Sequence, residues 1–148
     1  IFTGGDPLTL SNEKLEKYFE SFARISSIKD IRLHTRYPVI LPSRIDDGLV
    51  ELLRKYSKMI RTISLSVHAN HLSEFDEKAD IAILKLKSSG IQLLSQTVLL
   101  KGVNDSSESL IKLMEKFIDL GIRPYYLHHP DRVKGGMHFY TSLQRGRE

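Results

Sequence analysis

The first residues that could do chemistry stand at the start of the sequence, in Ile1-Phe2-Thr3-Gly4-Gly5-Asp6-Pro7-Leu8. Two adjacent glycines let the backbone take positive φ and approach a ligand closely. Asp6 adds a carboxylate, a strong acceptor for a cation. Further polar side chains follow at wide spacing: His34 and Arg36, then His68, Asn70 and His71, then Gln96, then His128, His129 and Asp131. Taken singly, each has an ordinary structural use, as a carbonyl-bonded histidine, a loop cap or a solvated side chain. The histidine spacings match no standard zinc pattern, and His68-Ala69-Asn70-His71 lacks the glutamate of a helical His-Glu-x-x-His site. There is no cysteine and no Gly-x-Ser-x-Gly elbow, so nucleophilic catalysis has no candidate. The glycine turns lack the Gly-Lys-Ser/Thr of a phosphate-binding loop.

The elements that must position these residues can be read from hydrophobic periodicity. Strands are expected at Ile1-Phe2, Ile28 to Thr35, Ile60 to Val67, Ile91 to Leu100 and Ile122 to Leu127. Helices are expected between them. The first is capped by Ser11 and buries Leu15, Tyr18, Phe19, Phe22 and Ile25. The second is capped by Asp46 or Asp47, with Leu49, Val50, Leu52, Leu53 and Tyr56 on its apolar face. The third runs from about Phe75 to Ser89 with Ala79, Ala82, Ile83 and Leu86 inward, and Gly90 ends it. The fourth, capped by Asp105 or Ser106, buries Leu110, Leu113, Met114, Phe117 and Ile118 and closes at Gly121. The prolines of Arg36-Tyr37-Pro38-Val39-Ile40-Leu41-Pro42 predict an extended segment.

Strand and helix therefore alternate with short connections, the pattern of a parallel sheet with right-handed crossovers. A (β/α) barrel and an open doubly wound sheet both fit, and both gather ligand-binding groups at the carboxyl ends of the strands. Asp6, His34, Arg36, His68, Asn70, Gln96, His128, His129 and Asp131 all fall there. Five successive strand ends bearing polar groups predict one ligand-binding mouth.

Composition narrows the class. The chain has 148 residues, 41% hydrophobic and 27% charged, as in a single globular domain with a real core. Its net charge of +4 is spread along the chain, with no basic run that reads as a nucleic-acid arm. Without cysteine it can hold neither a disulfide nor an iron–sulfur cluster by itself. No apolar run reaches membrane-spanning length and no signal-peptide pattern is visible, so no membrane partner and a cytoplasmic location are expected. Because Ile1-Phe2 falls inside a strand, the sequence reads as starting within a fold.

The motifs together resemble the lysine 2,3-aminomutase family of radical S-adenosylmethionine (SAM) enzymes. The markers are Thr3-Gly4-Gly5-Asp6-Pro7-Leu8, Thr35-Arg36-Tyr37-Pro38-Val39-Ile40-Leu41-Pro42-Ser43-Arg44-Ile45, His68-Ala69-Asn70-His71, the stretch from Gln96 to Asp105, Arg123-Pro124-Tyr125-Tyr126-Leu127, Asp131 and His138-Phe139. The resemblance runs end to end. It implies an α/β chain forming part of a (β/α)6 radical-SAM (TIM-like) barrel, with about five parallel β/α units in a single domain over residues 1–148. It implies that Thr3, Gly4, Gly5, Asp6, His68 and Gln96 bind SAM and that Asp131 binds the side-chain ammonium of the substrate lysine. The implied reaction moves an amino group from C2 to C3 of lysine, with a [4Fe–4S] cluster, SAM and pyridoxal phosphate (PLP) as cofactors and an external electron donor. A homo-oligomer is compatible with it. The family's cluster cysteines and PLP lysine are expected outside this stretch, which should then be inactive alone. Leu72 departs from the proline that many members carry. His128, where catabolic members tend to have tyrosine, resembles the members that make β-lysine for elongation factor P. The alternatives are an aminomutase for another amino acid such as glutamate, or a non-catalytic β/α ligand-binding module.

Overall fold

The computed structural model describes residues 1–147. Four strands, β1 (Asp30–Thr35), β2 (Thr62–His68), β3 (Gln92–Val98) and β4 (Arg123–His128), form one parallel sheet in the order β1-β2-β3-β4. Five helices connect or flank them: α1 (Asn12–Ala23), α2 (Tyr37–Ile40), α3 (Asp47–Tyr56), α4 (Glu77–Ser88) and α5 (Ser107–Asp119). The expected first strand is a single bridge, in which Phe2 N donates to Arg32 O at 2.7 Å and Phe2 O accepts from His34 N at 3.3 Å. Two residues on, Gly4 stands at φ +116°, outside strand geometry. The alternation is that of a partial TIM-like unit.

Local signals set the helix ends. Ser11, Asp46, Asp76 and Ser106 each accept a backbone N–H from the first turn of α1, α3, α4 and α5. At the end of α5, Gly121 adopts φ +76°. Gly121 N then donates to Ile118 O at 2.9 Å and Ile122 N to Phe117 O at 2.8 Å, a Schellman closure with the buried Ile122 against the buried Phe117.

Side-chain alternation sorts the sheet into two faces. Ile31 and Leu33 of β1, Ile63, Leu65 and Val67 of β2, and Leu93 of β3 enter one core with Leu15 and Phe19 of α1, Leu49 and Leu53 of α3, Ile83 and Leu86 of α4, and Leu113 and Phe117 of α5. Phe19 stacks on Tyr56 at 5.3 Å and joins α1 to α3. Phe117 meets Phe75 edge-on at 5.7 Å and ties α5 to the turn before α4. The register sets Arg32 and His34, Ser64, Ser66 and His68, Leu94 and Gln96, and Tyr126 and His128 on the opposite face. Arg32 Nη1 reaches Tyr126 Oη at 3.3 Å although β2 and β3 separate their strands. Three interstrand steps of about 4.8 Å lie between them, so this face is concave.

Two expectations are corrected, and β4 shows one irregularity. Arg36 to Pro42 is not extended: Tyr37–Ile40 form the short helix α2, with Pro38 in its first turn, where a missing N–H costs nothing. Tyr18, Ile25 and Ile118 are exposed rather than buried. β4 carries an irregularity, because Leu94 pairs with Arg123 but Gln96 with Tyr126. Pro124 has no N–H for the ladder, and Tyr125 N instead donates to Ser95 Oγ at 3.0 Å.

Phe117→Ala removes a fully buried ring that joins α5 to the Phe75 turn. The expected cost is about 3–5 kcal/mol, measured by chemical denaturation; a loss below 1 kcal/mol would contradict this packing.

Candidate functional site

The Gly-Gly-Asp turn is held by its own acid. Asp6 Oδ1 accepts from Leu8 N at 3.0 Å and caps the 3-10 turn Pro7–Thr9. Asp6 Oδ2 accepts from Thr35 Oγ1 at 2.9 Å and from Arg36 N at 2.8 Å. One carboxylate thus ties the opening turn to the carboxyl end of β1. Arg44 braces the far side, with Nε donating to Leu8 O at 2.9 Å and Nη2 to Leu10 O at 2.8 Å. Gly4 stands at φ +116°, a region that L side chains rarely adopt, and the space beside Gly4 and Gly5 is open. The carbonyls of Thr3, Gly4 and Gly5 accept no backbone N–H from the described residues.

The end of β2 is built by a second acid. Glu74 Oε1 accepts from Asn70 N at 2.5 Å and His71 N at 2.9 Å, while Oε2 pairs with Arg36 Nη2 at 2.9 Å. His71 is occupied as a cap: its Nδ1 accepts from Ser73 N at 3.2 Å. Asn70 Oδ1 accepts from Val98 N at 2.9 Å and lies 3.3 Å from His68 Nε2. The buried Asn104 closes the adjoining loop through Leu100 N, Val98 O and Asn70 O. Arg44, Glu74 and Asn104 were not singled out from the sequence. An acid three residues after His71 is the signal that points to Glu74.

These supports leave an open cleft of about 360 Å³ lined by Thr3, Gly4, Gly5, Asp6, His34, Thr35, Arg36, Tyr37, Ile40, His68 and Gln96. Six of the residues expected to act together, Thr3, Gly4, Gly5, Asp6, His68 and Gln96, therefore meet in one place. Asp131 does not: it is exposed in the segment after β4 and does not line the cleft. His129 Nε2 lies 3.0 Å from Thr141 O. Among the described residues, no group of three or more His, Asp or Glu side chains is placed to hold a metal ion, and no helix is long and apolar enough to cross a membrane.

Burial holds the His68 imidazole below its ordinary pKa, and the Arg36 guanidinium adds to the effect. Burial does the same at His34. Both rings are neutral at pH 7. Arg36 is balanced by Glu74, so the fixed charge lining the cleft reduces to the single negative charge of Asp6. The site has an anionic rim, free carbonyls and a floor of neutral polar side chains, a setting for a ligand with one cationic end.

No family model matches the chain. Comparison with curated proteins finds the L-lysine 2,3-aminomutase of Escherichia coli, 38% identical over the whole of this chain and 42% of the relative. The enzyme of that name in Methanococcus maripaludis is 43% identical over the whole chain and 33% of its own length. That of Buchnera aphidicola is 40% identical over 96% of this chain and 41% of the relative. The chain thus spans about two fifths or less of these relatives. Along its own length it belongs to the lysine 2,3-aminomutase family.

Both histidines have folded pKa values below their unfolded value of about 6.5. The unfolded chain then binds more protons below that pH, so stability is full above about pH 6.5 and falls as the pH drops toward the lowered folded values. Denaturation at pH 7.5 and 5.5 should show a loss that shrinks in the double variant His34→Gln/His68→Gln. An unchanged loss would contradict the neutral, buried state of these rings.

Proposed function

We propose that this chain, a stretch of the lysine 2,3-aminomutase family, supplies the SAM-binding cleft and part of the barrel of an amino-acid 2,3-aminomutase that converts L-lysine to β-lysine. The observation that carries the reading is the meeting of Thr3, Gly4, Gly5, Asp6, His68 and Gln96 in one cleft at the strand ends.

The residues fit the cofactor. SAM carries one net positive charge, matched by the one uncompensated carboxylate of the cleft. Its methionyl ammonium suits the carbonyls of Thr3, Gly4 and Gly5, which accept no backbone N–H from the described residues. An ionised carboxylate offers about four acceptor positions. Three are used by Leu8, Thr35 and Arg36, which leaves one on Asp6 Oδ1 for the ligand. His68 and Gln96 sit side by side in register on β2 and β3 and present neutral polar groups to the rest of the molecule. When bound, SAM supplies radical chemistry that protein side chains cannot. The work of this chain is to grip and orient it and, with the concave face of the sheet, to shield it from water.

The other cofactors stand differently. With no cysteine, the chain has no ligand set for an iron–sulfur cluster. In this reading the cluster and the PLP lysine belong to parts of the longer relatives that this stretch does not span. Asp131 is assigned the substrate ammonium as an accessible anion in the segment after β4.

The test uses the full-length protein, reconstituted anaerobically and given SAM, reductant and lysine. Formation of 5′-deoxyadenosine and β-lysine is expected; neither product would overturn the assignment. Asp6→Ala should weaken SAM binding by about 1.5–3 kcal/mol, the scale of a lost charged hydrogen bond. Asp131→Asn should impair lysine use more than SAM binding, and equal damage to both would contradict the division of labour.

A further inference from the structure

Among the described residues, the cleft is lined by one fixed negative charge, Asp6, and one fixed positive charge, Arg36. The Arg36 guanidinium is held by an acid from outside the cleft. Its Nη2 donates to Glu74 Oε2 at 2.9 Å, while its buried Nε has no hydrogen-bond partner. Glu74 does not line the cleft. It ends the 3-10 turn Leu72–Glu74 and is anchored there by its other oxygen, which accepts from Asn70 N at 2.5 Å and His71 N at 2.9 Å. A carboxylate tied to the backbone after β2 thus reaches across to cancel a charge at the end of β1. The pair is partly buried, with the Glu74 side chain 22% and the Arg36 side chain 41% exposed, so solvent and salt screen it less than a free surface pair. Both charges are felt inside the cleft. At His68, where burial is the main cause of the lowered pKa, the Arg36 guanidinium lowers it further and the Glu74 carboxylate opposes that. Without Glu74, the charges of Asp6 and Arg36 would cancel. With Glu74, the cleft keeps one net negative charge, which attracts a cation and is indifferent to a neutral ligand of the same shape.

We propose that Glu74 is a positioning residue that sets the charge selectivity of the cleft: acting through Arg36, it makes the site prefer a sulfonium ligand to the uncharged thioether of the same skeleton. The inference rests on the SAM reading of the same cleft. It adds how SAM is told from S-adenosylhomocysteine, which lacks the methyl group and the sulfonium charge. Glu74 touches no ligand in this account. It neutralises the one cation that would repel the ligand, and it leaves the Asp6 carboxylate as the charge that the ligand meets.

The experiment measures, by calorimetry on the full-length protein without reductant, the affinities of SAM and S-adenosylhomocysteine. The proteins compared are the wild type, Glu74→Gln, Arg36→Gln and the double variant Arg36→Gln/Glu74→Gln. Glutamine at position 74 keeps an amide oxygen for Asn70 N and His71 N but loses the charge. The ratio of the two affinities separates charge from folding, since a distorted turn would weaken both ligands alike. In Glu74→Gln the preference for SAM should fall about threefold or more, the scale of one unit charge in a partly solvated cleft. In Arg36→Gln, which leaves Glu74 unbalanced, the preference should rise. The double variant should return it to within about twofold of the wild type, because the net charge is again that of Asp6 alone. A preference unchanged or increased in Glu74→Gln, or a double variant that stays at the Glu74→Gln level, would overturn the inference while the SAM reading stands. If Glu74→Gln binds neither ligand, Arg36→Gln decides, and an unchanged ratio there overturns the inference. If the wild type binds neither ligand, the SAM reading fails and this inference falls with it.

Discussion

The structure depends on what one carboxylate does. Asp6 receives Leu8 N on one oxygen and Thr35 Oγ1 and Arg36 N on the other. Those three bonds fix a turn that Arg44 braces from its far side. Before it the chain touches the sheet only at the Phe2 bridge, and two glycines contribute no side-chain packing. Charge-assisted bonds to an ionised acceptor are the strong kind. They hold Gly4 at positive φ and set the neighbouring carbonyls along the cleft. Arg36 carries the same order onward through Glu74 to the turn after β2.

Stability and function are separated by face. The helix side of the sheet is apolar and closely packed, and it fixes the strands. The concave side bears Arg32, His34, Ser66, His68, Gln96, Tyr126 and His128, and there the buried Ser66 Oγ is left without a partner. Such atoms weaken a fold when it stands alone, and they become assets when a ligand arrives to pair them. Arg32 is held differently. Its guanidinium lies over the rings of Tyr125 and Tyr126 at 5.2 and 5.8 Å and spans the concave face as a brace between β1 and β4.

Much of this was legible in the sequence, for identifiable reasons. Helix caps and apolar faces are local and periodic, so α1, α3, α4 and α5 could be read, with Ser11, either Asp46 or Asp47, and either Asp105 or Ser106 as caps of α1, α3 and α5. Strand alternation placed His34, His68 and Gln96 at one mouth before any coordinates. What escaped was non-local. The helix α2 runs against the preference of residues before proline because Tyr37 N can bond Thr35 Oγ1 at 3.1 Å, a partner that no local rule supplies. The tasks of Arg44, Glu74 and Asn104 depend on loops that sequence patterns do not bring together. His71, one of the polar residues after the third expected strand, serves as a cap. Asp131 was expected at the mouth and does not line the cleft.

The central claim is that the carbonyls of the Gly4-Gly5 turn and the carboxylate of Asp6 receive the cationic end of SAM. The most direct measurement is a crystal structure of the full-length protein with SAM bound. The account predicts the methionyl nitrogen within hydrogen-bond distance of Asp6 Oδ1 or of the carbonyls of Thr3, Gly4 or Gly5, with His68 and Gln96 against the nucleoside. A SAM molecule seated elsewhere on the sheet, or with its ammonium turned away from this turn, would contradict it.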